Sequence, residues 1–333
     1  MSEHEWLVDA STVEDAPVYF PLTEKGYEVK PGFYRLGTDL GNGTRDAQVF
    51  QFDSGFSVGR QSKERARAEA LGKYWCTDRF APEVASGIAR FIVEHLPREH
   101  PDIFSLHKRD GLSVLRCKHT EEALCFDDAM ELVVDKTEQQ AGPPYIDALD
   151  ALALQVQEDL AVVCRQGEQD WLAAVHLCSA NHWAAADKVG QNFVDVHTPV
   201  AEMEALNARS ASLVAAMIEK GPYMRFAWGL ATDTRLNHHP QPPLGVDKEQ
   251  WQGRRFARTN PHLYMRIERQ VLWGFTVLDA ALFTIRPYFL DCAKLERARR
   301  TQLASALETM SAAVLAYKGL ADSRDEMLVW LRA

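Results

Sequence analysis

The chain has 333 residues, of which 46% are apolar and 25% charged, a balance that excludes a mainly disordered or fibrous polymer. A globular chain of this size buries roughly 75% of the surface its unfolded form exposes, enough for one large core or two fused ones. Lys and Arg total 37 against 47 Asp and Glu, a formal charge of −10 with no long basic run, which argues against a nucleic-acid partner.

The acidic N-terminus, Met1 to Pro17, lacks the basic-then-apolar order of a signal peptide. No apolar stretch approaches the ~18–20 residues of a membrane span, so a cytoplasmic protein is expected. The cysteines, Cys76, Cys117, Cys125, Cys164, Cys178 and Cys292, contain no C-x-x-C or C-x-x-x-C pair. Zinc and iron–sulfur sites built by this chain are therefore disfavoured, and reduced thiols are expected.

Along the chain, the first 60 or so residues read as strands and turns, with Gln48-Val49-Phe50-Gln51-Phe52 as one extended run. A helix is expected from Ser62. Another runs from Pro82 to His95, with Val84, Ile88, Phe91 and Ile92 on one face and Pro97 stopping it. After Pro143-Pro144, the positions Ile146, Leu149, Ala153, Val156 and Leu160 recur at helical spacing. Ala161–Cys164 and Trp171–Ser179, separated by a polar turn with Gly167, predict an antiparallel hairpin. Thr198-Pro199 predicts the start of a helix that Gly221-Pro222 ends.

Phe226/Trp228/Leu230, Met265/Ile267 and Phe283/Ile285 alternate as three more strands, so the sheet is expected to be antiparallel. Between the first two, Asn237 to Asn260 is a long polar loop rich in proline. Two helices close the chain, one through Leu303, Leu307, Met310, Val314 and Tyr317, the other capped by Asp322 or Ser323. The resulting division is an N-terminal α+β extension (1–109), a core (110–290) and a C-terminal helical segment (291–333).

The densest run of uncommon residues is 179–200, SANHWAAADKVGQNFVDVHTPV. There His197 precedes the expected helix start among Phe193, Val194 and Val196, so its imidazole is a candidate ligand for a metal or heme iron. The alternative is a core histidine hydrogen-bonded to a carbonyl. In Arg266-Ile267-Glu268-Arg269-Gln270, strand alternation puts Arg266, Glu268 and Gln270 on one face and Arg269 on the other. Buried ion pairs, an anion contact or a surface ladder of salt bridges would each suit that pattern. His238-His239 and His176/His182 have no carboxylate or cysteine at a diagnostic spacing, so zinc is not expected there.

Taken together, Val156-Gln157-Glu158-Asp159-Leu160, the hairpin, Trp183, Lys188-x-Gly190, His197-x-Pro199-Val200, Glu268-Arg269-Gln270 and Phe283-Thr284-Ile285-Arg286 resemble the heme-dependent oxidative N-demethylase family. The order and spacing match over about residues 145–290, and Arg225-Phe226-Ala227-Trp228 departs from the Asn-Trp pairing of that pattern.

The resemblance implies the heme-binding alpha subunit: heme b in a PAS-like antiparallel sheet flanked by helices, an α+β fold. It further implies oxidation of a small secondary amine, dimethylamine in the best-known case, to a primary amine and formaldehyde. Electrons would come from NADPH through partner subunits carrying flavin and an iron–sulfur cluster, with tetrahydrofolate as a conceivable acceptor of the formaldehyde. On that reading His197 ligates iron, Trp183 lines the heme site, and Lys188, Arg269 and Arg286 pair with the propionates. Glu268 and Tyr264 would hold the amine, because a dialkylammonium wants a carboxylate or aromatic faces. The rival is a PAS-type heme or ligand sensor without turnover; the absence of sustained heptads in the C-terminal helices favours the enzyme.

Overall fold

The computed structural model describes residues 13–140 and 142–333, so the acidic stretch as far as residue 12 lies outside it. The described residues form ten strands in two antiparallel sheets. The strands are β1 (Tyr34–Arg35), β2 (Trp75–Thr77), β3 (Phe104–Arg109), β4 (Leu112–Cys117), β5 (Glu122–Phe126), β6 (Asp159–Gln166), β7 (Gln169–His176), β8 (Tyr223–Ala231), β9 (Tyr264–Phe275) and β10 (Ala280–Asp291). The small sheet is β3-β4-β5 and the large one β1-β8-β9-β10-β6-β7-β2. Counting β6 to β10 as one to five, the long strands lie side by side in the order 2-1-5-4-3. The fold is thus α+β around a large antiparallel sheet, as expected from the alternation of the three late strands and the hairpin.

Helix α1 (Phe56–Tyr74) starts six residues before Ser62, and α2 (Pro82–Glu99) runs two residues past Pro97. The run Gln48–Phe52 is not a strand: the chain bends at Val49 and Phe50. Its N–H groups are met by side chains instead: Val49 and Phe50 donate to the Glu99 carboxylate, at 2.6 and 3.1 Å, and Gln51 to Glu158 at 2.8 Å.

The helix expected over residues 145–160 shrinks to α3 (Ala148–Ala153), capped by Asp147. Its continuation is stopped because the buried Lys63 ammonium takes the carbonyls of Ala153, Val156 and Glu158 at 2.8, 2.9 and 2.5 Å. Helical continuation would need the first of these for its own ladder.

The helix expected from Thr198-Pro199 does not start there. Asn192 accepts from the Asp195 N–H at 2.9 Å and caps a short α4 (Phe193–His197) instead. Thr198 closes that helix, and Pro199 follows it as prolines commonly follow a C-cap. The chain turns again through α5 (Glu204–Asn207) before α6 (Ser210–Glu219). After α7 (Lys248–Gln252), the tail has three helices, α8 (Arg297–Thr309), α9 (Ala312–Tyr317) and α10 (Arg324–Arg332), because Ser311 restarts the helix by capping Val314. One hydrophobic cluster runs from Val49 to Leu282 on one side of the chain, and a second joins β9 and β10 to α8–α10.

Candidate functional site

The two faces of the large sheet are set by its registers. Phe226 faces Arg269, and Arg269 faces Arg286. One face therefore carries Met224, Phe226 and Trp228 with Arg269, Arg286 and Tyr288. The other carries Arg225, Ala227 and Gly229, then Arg266, Glu268 and Gln270, then Phe283, Ile285 and Phe289. α6 and the segment before α4 cover this second face, where Phe193 and Phe283 pack with Val214, Met217 and Leu272, and Trp183 packs with Val175 and Leu177.

His197 reaches this face from the last residue of α4 rather than from ahead of a helix. Its Nδ1 meets the Phe193 carbonyl at 2.7 Å, and because a carbonyl only accepts, Nδ1 carries the proton. Nε2 is left as a lone pair with no hydrogen-bond partner among the described residues. Burial holds the imidazole neutral, with its pKa down to about 4, and the nearby Arg225 and Lys188 charges push the same way. The Phe193 ring, 4.3 Å away between centroids, supports the imidazole, and the Lys188 ammonium donates to the Val196 carbonyl one residue before it.

Beyond His197 the face opens. Ala227 and Gly229 project a methyl or nothing, and a Cβ built on Gly229 would meet no described atom within 4 Å. Four cations ring this space. Arg225 is largely buried, and no hydrogen-bond or ion-pair partner is found for it among the described residues. Arg254 is in the same position, its pKa lowered to about 10 by burial.

Arg266 is anchored by the Ser179 and Leu236 carbonyls, at 2.6 and 2.8 Å, while its Nε stands 3.7 Å from Glu268. Lys318, at the end of α9, donates to the Trp228 carbonyl at 2.6 Å and lies over the Tyr27 and Trp228 rings. Burial lowers its pKa to about 8 against the pull of Glu268. Glu268 is the carboxylate that Arg225, Arg266 and Lys318 share, and its second oxygen accepts from Gln270 at 3.1 Å.

The structure thus brings His197, Lys188, Trp183 and Glu268 to one side of the sheet. Tyr264 opens β9 in the same alternation as Glu268, four residues away along the strand. Arg269 and Arg286 are not brought to them. They project from the opposite face, where Arg269 donates to the Gln48 carbonyl at 2.6 Å and Arg286 to Asp53 at 2.7 Å. Sequence reasoning missed Arg225, Arg254 and Lys318. For Arg225 the signal was present: if Phe226, Trp228 and Leu230 form one face, Arg225, Ala227 and Gly229 form the other, a cation beside small residues.

No group of three or more His, Cys, Asp or Glu among the described residues is placed to hold a bare metal ion. A heme asks for less, since the porphyrin supplies four ligands and the protein one imidazole. A neutral imidazole whose other nitrogen is fixed on a carbonyl is the form in which histidine ligates. The open space over Gly229, beside orphaned guanidinium nitrogens that call for carboxylates, suits the rest of that group. The residues present therefore fit a heme. Residues 42–328 match a family model described as haem-dependent oxidative N-demethylase, alpha subunit-like. A comparison with curated proteins gives no match.

Proposed function

Because the chain belongs to the haem-dependent oxidative N-demethylase, alpha subunit-like family, we propose that it is the heme-binding subunit of an N-demethylase acting on a small secondary amine of the dimethylamine kind. The observation that carries this is the free Nε2 of His197 facing the open, cation-ringed side of the sheet. The strand order 2-1-5-4-3 supports a PAS-like heme core. When bound, heme b would supply dioxygen activation and the oxidation of the N-methyl carbon. The net conversion uses one dioxygen, two electrons and two protons. One oxygen atom leaves with the methyl carbon as formaldehyde and the other as water, and the nitrogen keeps its remaining substituent as a primary amine.

The protein's own residues bind and orient. His197 holds the iron through Nε2, kept in that tautomer by the Phe193 carbonyl. Lys188 fixes the end of α4 through Val196, so that it positions His197 rather than touching the heme. Arg254 and Lys318, both short of strong acceptors, take the propionates. Trp183 and Phe283 close the apolar wall, and Glu268 receives the ammonium of the substrate. Electrons come from NADPH through partner subunits bearing flavin and an iron–sulfur cluster, and tetrahydrofolate on a partner is a suitable formaldehyde acceptor. The six thiols, all unpaired, support a cytoplasmic setting, and among the described residues no helix is long and apolar enough to cross a membrane.

The test is turnover. The purified chain, loaded with heme and supplied with a secondary N-methyl amine, dioxygen and photoreduced flavin, should release formaldehyde and primary amine in equal amounts. A heme-loaded protein that consumes neither amine nor dioxygen would point to a ligand sensor instead.

A further inference from the structure

The charge around Glu268 favours, among small secondary amines, one that brings a negative charge of its own. This one carboxylate is faced by Arg266 at 3.7 Å and interacts with Arg225 and Lys318, so three cations already share it before any substrate enters. Adding a bare cation to such a partly dry site raises an existing repulsion. Arg225 states what is missing. Its guanidinium is largely buried on the open face, its Nε has no acceptor, and no ion pair compensates it among the described residues. A buried donor left unmet is costly, and a carboxylate matches the guanidinium fork best.

Arg225 stands opposite Gln270 in the β8–β9 register, with Ala227 opposite Glu268. Arg225 and Glu268 are thus diagonal neighbours on one face, with Cα atoms about 7–8 Å apart, and a small ligand can bridge their diverging heads. One Glu268 oxygen accepts from Gln270, and the other is beyond hydrogen-bond distance of Arg266, so acceptor capacity remains for an ammonium. Arg225 also acts on His197, as Lys188 does, which puts it toward the His197 end of the face, whereas Arg254 and Lys318 gather at the α9 end of the space.

We propose that the amine accepted here carries its own carboxylate: the substrate class is a zwitterionic N-methyl amino acid, with Arg225 receiving the carboxylate and Glu268 the secondary ammonium. This rests on the N-demethylase reading and narrows it.

Calorimetric titration of the purified full-length chain with N-methylglycine and, separately, with dimethylammonium chloride tests it, alongside heme content read by absorbance. N-methylglycine should bind at least tenfold more tightly than dimethylammonium. Arg225→Gln should weaken N-methylglycine about 10- to 100-fold while heme content stays constant and dimethylammonium binding holds or tightens, since a repelling charge is removed. Preference for dimethylammonium, or an N-methylglycine affinity that Arg225→Gln does not change, overturns the proposal. The second result together with lost heme would make Arg225 a propionate partner. If Arg225→Gln does not fold, the preference of the wild-type protein between the two ligands decides alone. A chain that takes up no heme yet binds N-methylglycine through Arg225 would sink the N-demethylase reading, and the substrate role with it, while sustaining the contact of Arg225 with the carboxylate.

Discussion

The two faces of the large sheet use the same residue types to opposite ends. On one, Arg269 and Arg286 are as buried as core leucines, and although the Arg286 Nε has no acceptor each guanidinium has a partner in place: the Gln48 carbonyl at 2.6 Å and the Met224 sulfur at 3.2 Å for Arg269, and Asp53 at 2.7 Å for Arg286. They tie the extended segment 46–53 to the sheet. On the other face, Arg225 on the neighbouring strand β8, opposite Gln270, is held in a shielded place with its Nε unmet, and His197 on α4 presents an unused nitrogen. What separates structural from ligand-binding arginines here is neither charge nor burial but whether the partner is already present.

The largest effect should come from breaking the satisfied face. Asp53→Ala removes the partner of Arg286, together with acceptors for the Gly55 N–H and the Gln157 amide, at 2.9 and 3.0 Å. Leaving a buried guanidinium unpaired should cost about 3–5 kcal/mol in urea unfolding. Arg225→Gln, on the other face, should change stability by no more than about 0.5 kcal/mol, since it breaks no bond; a loss comparable to that of Asp53→Ala would erase the distinction between the faces.

Glu268→Gln comes next. It keeps the shape and removes the charge, so it should weaken amine binding by about 2–3 kcal/mol, roughly 30- to 150-fold, with heme content unchanged. If Glu268 instead serves only to pair with Arg266, melting temperature and heme content should fall together while affinity per heme stays constant.

A smaller effect is set by pH. Burial holds the folded His197 near 4 against an ordinary 6.5, so the fold prefers the neutral ring. The resulting stability is complete above about pH 6.5 and is lost as pH falls toward 4, because the unfolded state then binds the proton first. For this partly shielded group the contribution is about 1–2 kcal/mol. His197→Gln should therefore flatten, without abolishing, the loss of stability between pH 7 and pH 4.5, because His238, also lowered to about 4 by burial, keeps its share. Smallest of all, Lys188→Met should lower stability by about 0.5–1 kcal/mol, through the lost bond to Val196 at the C-terminal end of α4.

The sheet was legible from the sequence because period-two alternation in β8, β9 and β10 is a local property, and so was the placing of Arg269 away from Glu268. That Arg286 shares the face of Arg269 was not, because it depends on the register of the β9–β10 hairpin, which pairs those two residues across the ladder. α3 and α4 failed for a related reason. Helical spacing continues past Ala153 in the sequence, but Lys63, 90 residues earlier, claims the carbonyls. The Asn192 cap competes locally with Thr198-Pro199, and nothing in spacing alone says which of two good caps wins. Arg254 and Lys318 come from loop and tail, so only tertiary structure brings Arg254 to Arg266 and Lys318 to Glu268.

The central claim, that the face of His197 and Arg225 is built for heme while the face of Arg269 and Arg286 is built for the fold, is tested most directly by the absorption spectrum of the purified protein with added hemin. The wild-type chain should take up one heme, shifting its visible band from that of free hemin. His197→Ala should lose the heme or the band while remaining folded, and Cys164→Ala and Cys178→Ala should leave the spectrum as it was. A folded wild-type protein that stays colourless with hemin, or a His197→Ala variant whose spectrum matches the wild type, would contradict the account.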